Sequence, residues 1–501
     1  MSFLPPCSIA PSAVLILLVV ASILSLLSRR YPLDRFPGPR LARWTWLYRA
    51  YYDIVIGGGW LAHLEKLHDI YGPVVRVGYT ELHFNDPAAY ADIYTHTPVH
   101  YKDPGLYNGF TWTSPSSFSE TDVKEHAALR TVLSSFFSRK NVLGLENMIQ
   151  ERVDRLLDQL MANHGTRSAD MDLAFRSLTL DIITLYTFAI SIDAVSAPSF
   201  QHPVLMDLVK HSRNKWFFRH FPLLKRLVTN LPSWFATLTR KKATLAFVQE
   251  VMRLVDSALK QLHRGDVNQS NKNIFFMLLT DERRAVRAEK LTRAWLVGEG
   301  QNLRGAGSDT VANTCTIGCR RILGDDRVLQ KLRQELEEAW PDKDESMPLE
   351  RLEKLPYLTA VIKECLRVAH GVVTPMTRIV PESGSIIAGY QVPPGTSVAI
   401  GHTFVHMNPD IYPEPDRFYP ERWMKDDHHA LERFLVSFSK GPRSCLGINL
   451  AWCELYLILG NVFRKLDLSP VNDISGRLAI LDYFVPFYRE KALEVTVKCR
   501  Q

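Results

Sequence analysis

Residues 9–27 form an unbroken run without a charged side chain. At a helical rise of ~1.5 Å per residue this run is about 28 Å long, enough to cross the hydrocarbon core of a bilayer. No face of it is polar, so a single N-terminal anchor is predicted over residues 1–28. The first charge in the chain is Arg29, followed by Arg30, Arg35, Arg40 and Arg43. A secretory signal carries its positive charge ahead of the apolar stretch; here the charge follows it. The positive-inside rule then places the rest of the chain on the cytosolic side. Residues 31–42 hold three prolines and a glycine, which exclude a regular helix. Residues 29–47 are therefore read as a proline-rich linker, and 48–501 as one large domain.

Within that domain the apolar period changes along the chain. Residues 74–84 read as a two-strand ribbon turning at Gly78 and Tyr79. From about 126 to 340 the period is helical, with helices expected over 127–137, 145–161, 175–190, 239–262 and 292–323. Residues 386–400 return to strands. Residues 356–371 form a punctuated helix, with proline at its start and Gly371 past its end. Glu364 and Arg367 stand one turn apart, away from its apolar stripe; such pairs are usually solvated. Residues 413–423 are too rich in proline for regular structure, yet they carry aromatic anchors and Arg422, as a packed coil does. The predicted fold class is mainly α with a minor β part.

The helix expected over 292–323 contains Gly298, Gly300, Gly305 and Gly307. Each costs a helix interior roughly 1 kcal/mol relative to alanine. Four of them imply that something large lies against the backbone. Thr310 has two readings at this point: it bonds back to the carbonyl of Ala306 and bends the helix, or it serves chemistry. Residues 215–221, KWFFRHF, followed by 222–235, interleave aromatic and basic side chains as interfacial segments do, which predicts substrate entry from the lipid side; the alternative is an ordinary helix that buries its aromatics.

The segment FSKGPRSCLG, residues 438–447, carries the densest chemistry. A thiolate needs backbone N–H groups and nearby cations to stabilise it. Gly441 and Gly447 let the backbone wrap Cys445 and turn amides toward its sulfur. Arg443 can reach a carboxylate, and Phe438 can lie against a flat ring. The apolar helix that follows presents its positive N-terminus to the same sulfur. A sulfur ligand, a carboxylate grip and a ring contact describe haem bound through cysteine. Zinc is the competing reading, but Cys445 and Cys453 are too far apart for a CxxC pair, and Cys315 and Cys319 lack partner ligands.

With these residues the chain resembles a cytochrome P450, a haem-thiolate monooxygenase. Phe438, Gly441, Arg443, Cys445 and Gly447 match the family's cysteine motif at every specified position. Glu364, Arg367 and Arg422 match its buried triad. Residues 306–310, AGSDT, match its oxygen-activation segment. The resemblance implies a single helical domain enclosing haem b behind the anchor, with Cys445 as the axial iron ligand. It implies catalytic roles in proton delivery for Thr310 and Asp309, and propionate grips for His126, Arg130 and Arg378; His126 stands where the family more usually has tryptophan. Tyr107, Phe110, Trp112 and Phe118 become candidate pocket residues. A narrower likeness to fungal secondary-metabolism members of the trichodiene-oxygenase-like group implies a terpenoid or comparable lipophilic substrate. Arg304 departs from that group and is expected to flank the pocket.

The formal charge of +7 is spread along the chain, which gives no basis for nucleic-acid binding and suits an anionic membrane surface. Seven cysteines at irregular spacing argue for a reducing compartment. The resemblance further implies O2 and a small lipophilic molecule as substrates, with electrons from NADPH through a separate NADPH-cytochrome P450 reductase. The expected location is the endoplasmic reticulum membrane, single-pass, with the catalytic domain cytosolic. Two rivals are a haem-thiolate isomerase or dehydratase, which needs no reductase, and a non-enzymatic haem sensor or carrier.

Overall fold

The computed structural model describes residues 33–97, 99–111, 116–164, 167–223, 242–264, 273–280, 292–426 and 428–500. The longest helix, Arg293–Leu323, starts where Thr292 accepts the amide of Trp295 at 3.1 Å. Most of its positions are buried on every face, so it runs through the middle of the molecule rather than over its surface. Around it pack Met171–Phe188, Pro356–Ala369 and Ile448–Lys465. Asp170 caps the first of these by accepting the amides of Asp172 and Leu173. Proline opens the second, and His370 closes it in the left-handed region at φ 63° with Gly371 following at φ 69°.

The ribbon at 74–84 forms as expected, with Val74 opposite Phe84 and Arg76 opposite Leu82. It becomes the edge of a five-stranded sheet whose order is Val74–Arg76, Glu81–Phe84, Ser397–Ala399, Arg378–Ile379 and Tyr101–Lys102. Glu81–Phe84 pairs parallel to Ser397–Ala399; the other pairings are antiparallel. Four strands near the C-terminus, Leu466–Pro470, Ile480–Tyr483, Val485–Tyr488 and Glu494–Cys499, add two small sheets that the apolar period did not reveal.

The buried side chains divide into a helical core and a sheet core. Leu33 and Phe36, inside the stretch read as linker, are buried in the sheet core. The predicted anchor at 9–27 lies outside the described residues. Among the described residues no helix is long and apolar enough to cross a membrane.

Buried neutral histidines link the fold to pH. Burial pushes His370 down to about 3 and His402 down to about 4; charge from Arg367 adds to the first, and a bond to the His370 carbonyl opposes the second. Below the ordinary value near 6.5 the unfolded chain therefore takes up protons that the folded chain refuses, so stability falls with pH. Urea unfolding midpoints should drop steadily from pH 7 toward pH 4, and replacing His402 by Gln should flatten that slope.

Candidate active site

Against the helical core lies a cavity of about 320 Å³. The cysteine loop supplies Phe438, Arg443, Cys445 and Gly447 to its wall. The long helix supplies Asp309 and Thr310, and the helix Val123–Ser134 supplies His126 and Arg130. Gly441 and Arg378 are not on the wall.

Cys445 is exposed by area yet enclosed by protein, because the surface it keeps faces the cavity. Cys315, Cys319, Cys365 and Cys453 are buried in the helical core. Burial raises the Cys445 thiol above its ordinary value, while the Gly447 amide and the Arg130 guanidinium act in the opposite direction. The loop is held by a 2.8 Å bond from the Cys445 amide to the Phe438 carbonyl. Gly441 turns it at φ 71°, where an added Cβ would stand 2.8 Å from the carbonyl oxygen of Tyr94. A side chain there costs about 1–2 kcal/mol in backbone strain before that clash is counted. Gly441→Ala should therefore lower the fraction of purified protein that carries haem, read from the ratio of haem to protein absorbance. Gly447 differs: no protein atom lies within 4 Å of its would-be Cβ, and that open space is the cavity.

The cations expected to grip propionates are partly engaged by the protein itself. Arg130 donates to the carbonyls of Ser444 at 2.8 Å and Cys445 at 3.4 Å. Arg443 donates to the carbonyls of Glu120 at 2.8 Å and Asp122 at 3.3 Å. Arg378 sits behind the wall and donates to the Tyr107 hydroxyl at 2.6 Å. Strand register puts Lys102 directly opposite Arg378, and its amine donates to the Phe118 carbonyl at the cavity wall. Lys102 escaped the sequence reading, since one lysine in YKDPGLY gives no sign of burial. Burial holds Lys102 well below its ordinary value, and Arg378 and Arg443 add to that. Burial pushes His126 down to about 3, with Arg443 and Lys102 contributing.

None of Lys102, Arg130, Arg378 and Arg443 makes an ion pair among the described residues. Like charges opposite one another and buried cations without carboxylates are both costly unless an anion joins them. The two propionates of haem would supply that charge. With a cavity-facing thiol, an open approach at Gly447 and the Phe438 ring on the wall, the residues present fit haem.

On the long helix Thr310 bonds back to the Ala306 carbonyl at 2.9 Å. Thr316 makes the same bond to Ala312 at 2.8 Å, away from the cavity, so the back-bond distinguishes nothing. Thr310 does lie on the cavity wall, as does Thr314, which makes the same bond to the Thr310 carbonyl at 2.9 Å. Asp309 is paired with Arg176, which donates a second bond to Asp172 at 2.9 Å. Burial opposes the Arg176 charge, but the two carboxylates outweigh it and hold the guanidinium ionised. A lone arginine in the apolar stretch FRSLTLDIITLY was the signal for this partner. The glycines have a more local reason than a large ligand alone. A Cβ on Gly307 would stand 2.6 Å from Ile183, and one on Gly300 would stand 2.9 Å from Phe188. The neighbouring helix fills those positions, while Gly305 meets only open space on the cavity wall. Arg304 is buried off the wall, as expected of a flanking residue.

Glu364 accepts from Arg367 at 2.8 and 3.0 Å and from Arg422 at 3.2 Å. Both acid and arginine are fully buried, unlike the solvated pair that helical spacing suggests. The Trp423 indole and the Tyr419 amide complete the shell at 2.9 and 3.0 Å. Phe110 and Phe118 line the cavity, whereas Tyr107 lies behind the wall as the acceptor for Arg378. Trp112 lies outside the described residues. Trp216 takes the alternative reading of 215–221: it is 1% exposed, and its indole donates to the Asp482 carbonyl, while Phe217 and Phe221 stay partly exposed and 224–235 lie outside the described residues. Its apolar ring is buried against Leu106 and Tyr107, not offered to lipid.

The family model for cytochrome P450 matches residues 39–478. The chain belongs to the cytochrome P450 family. A tryptophan 6-hydroxylase of Fusarium equiseti is 34% identical over 497 residues, covering 97% of this chain and 96% of the relative. A conidiogenone synthase of Penicillium rubens is 34% identical, covering 88% of each chain. A cytochrome P450 monooxygenase of Aspergillus flavus is 31% identical, covering 93% of this chain and 91% of the relative. The crystal structure of the cytochrome P450DA heme domain superposes with a TM-score of 0.75 at 17% identity, over 93% of this chain and 98% of that one. That likeness shows the fold. The monooxygenase class of this cytochrome P450 follows from its family and its named relatives.

Proposed function

We propose that this cytochrome P450 is a membrane-anchored monooxygenase of fungal secondary metabolism acting on a lipophilic substrate, of terpenoid or comparable type. The observation that carries the chemistry is the cavity that holds both the Cys445 thiol and the Asp309–Thr310 pair of the long helix. Residues 1–28 are the anchor, 29–47 the linker and 48–501 the catalytic domain, facing the cytosol from the endoplasmic reticulum membrane. Electrons come from NADPH through a separate reductase.

Haem, held by Cys445 and the cations around it, supplies O2 activation and oxygen transfer to a C–H bond. The chain supplies the rest. Phe438 would offer its side chain to the ring from the cavity wall, and the Gly447 amide with Arg130 would stabilise the thiolate. Arg176 fixes the Asp309 carboxylate, which with the Thr310 hydroxyl holds protons and ordered water at the cavity wall. Glu364, Arg367, Arg422 and Trp423 lock the coil at 413–423 to the helix Pro356–Ala369.

Expression with a reductase in a host fed candidate terpenes, followed by mass spectrometry, tests the whole reading. Products that require both O2 and NADPH support it; turnover without either selects the isomerase or dehydratase, and haem binding without turnover selects the sensor or carrier. Thr310→Ala tests proton delivery. It should retain haem and NADPH consumption, while product per NADPH falls sharply and peroxide rises to match. General acid–base contributions of ~10²–10⁴ leave room for a large effect. A product-to-NADPH ratio equal to the parent's would reduce Thr310 to its back-bond.

A further inference from the structure

We infer that Lys215 determines specificity by holding an anionic group, of carboxylate type, on an otherwise apolar substrate. This rests on the monooxygenase reading only in taking the cavity as the substrate pocket. The six-residue helix Lys215–His220 is pinned on its far side. Trp216 and Phe218 are each 1% exposed, the Trp216 indole bonds the Asp482 carbonyl, and His220 meets Asp53 at 2.8 Å. With its neighbours fixed in this way, Lys215 is directed into the cavity, on the wall that also carries Asp309.

There its ammonium has aromatic company and, among the described residues, no acceptor. The nitrogen lies 5.9 Å from the Phe110 ring centre and 6.0 Å from that of Phe484, and no hydrogen bond or ion pair to it is present among the described residues. The opposite charge that acts on it, Asp309, is already engaged by Arg176. Burial lowers the Lys215 pKa, and Arg176 repels it further. An enclosed cation beside two rings gains from each, but a cation–π contact does not replace a charged acceptor. A substrate carboxylate would supply that acceptor, and the apolar wall at Phe110, Phe118, Leu208 and Phe484 would cover the remainder of the molecule. The cations of the haem-binding region cannot serve the same purpose once propionates engage them.

Phenylbutanoate and phenylbutanamide test this as probes of matched shape that differ in charge. Their binding to the haem-loaded, full-length protein would be measured by calorimetry at neutral pH. A charge-assisted hydrogen bond in an enclosed site should favour the acid about tenfold. Lys215→Met and Lys215→Gln should erase that preference, and Lys215→Arg should keep it. A parent protein that favours the acid less than threefold overturns the inference, as does a Lys215→Met or Lys215→Gln variant that keeps the preference. The reduced carbonyl spectrum of the same samples reports thiolate ligation independently, so failure of the haem-thiolate reading would be seen separately.

Discussion

Cys445→Ser is expected to abolish the strongly red-shifted Soret band of the reduced carbonyl complex and with it all oxygenation. Cys453→Ser should keep both. The two residues differ in where their sulfur points. Cys445 faces the cavity beside the Gly447 amide and Arg130, whereas Cys453 is 2% exposed inside the helical core. Burial raises the Cys453 thiol far above its ordinary value, followed by repulsion from Glu454, so it offers no thiolate. Its hydroxyl replacement would lose about 1–3 kcal/mol from placing a polar group in an apolar site, a stability effect without a spectral one. A red-shifted carbonyl band in Cys445→Ser would remove the basis of the whole assignment.

Arg367→Leu should be the most damaging change outside the cavity. It leaves the Glu364 carboxylate fully buried with one arginine in place of two. Removing one partner of a buried ion pair typically costs about 3–5 kcal/mol, against a total stability of about 5–15 kcal/mol. The expected result is little soluble protein and almost none that retains haem. The paired variant Glu364→Leu with Arg367→Leu removes the stranded charge, so its loss should be smaller than the sum of the two single losses. Urea unfolding of the soluble fraction, followed by intrinsic tryptophan fluorescence, measures each. Additive losses would mean that the acid and arginine are not coupled across this network.

What the sequence made legible were elements with a period and sites with a spacing. The helix at 145–161 and the ribbon at 74–84 announce themselves because one face is apolar over several turns or several alternations, and the helices at 175–190 and 292–323, buried nearly all round, by long runs without proline. The cysteine loop does so because Gly441 and Cys445 must be those residue types: one for a positive φ against Tyr94, the other for its sulfur. What stayed hidden depends on contacts between segments far apart in the chain. Lys102 meets Arg378 only through strand register, and Arg176 meets Asp309 only through the packing of two helices. The strands after 466 are short, and polar residues interrupt them. Trp216 stayed ambiguous in the sequence because a run of aromatic and basic residues looks the same whether its rings enter lipid or protein.

The seam at Gly300 and Gly307 constrains how such a pocket can diverge. Where a Cβ would meet Phe188 and Ile183 at 2.9 and 2.6 Å, the helices Met171–Phe188 and Arg293–Leu323 cannot part without opening the core, nor approach further. New substrates must then be accommodated by Phe110, Phe118, Lys215 and Phe484, which ride on short turns, a one-and-a-half-turn helix and a hairpin. Libraries randomised at those four positions should yield folded variants with altered product profiles. Libraries of equal size at the seam should yield mostly insoluble chains.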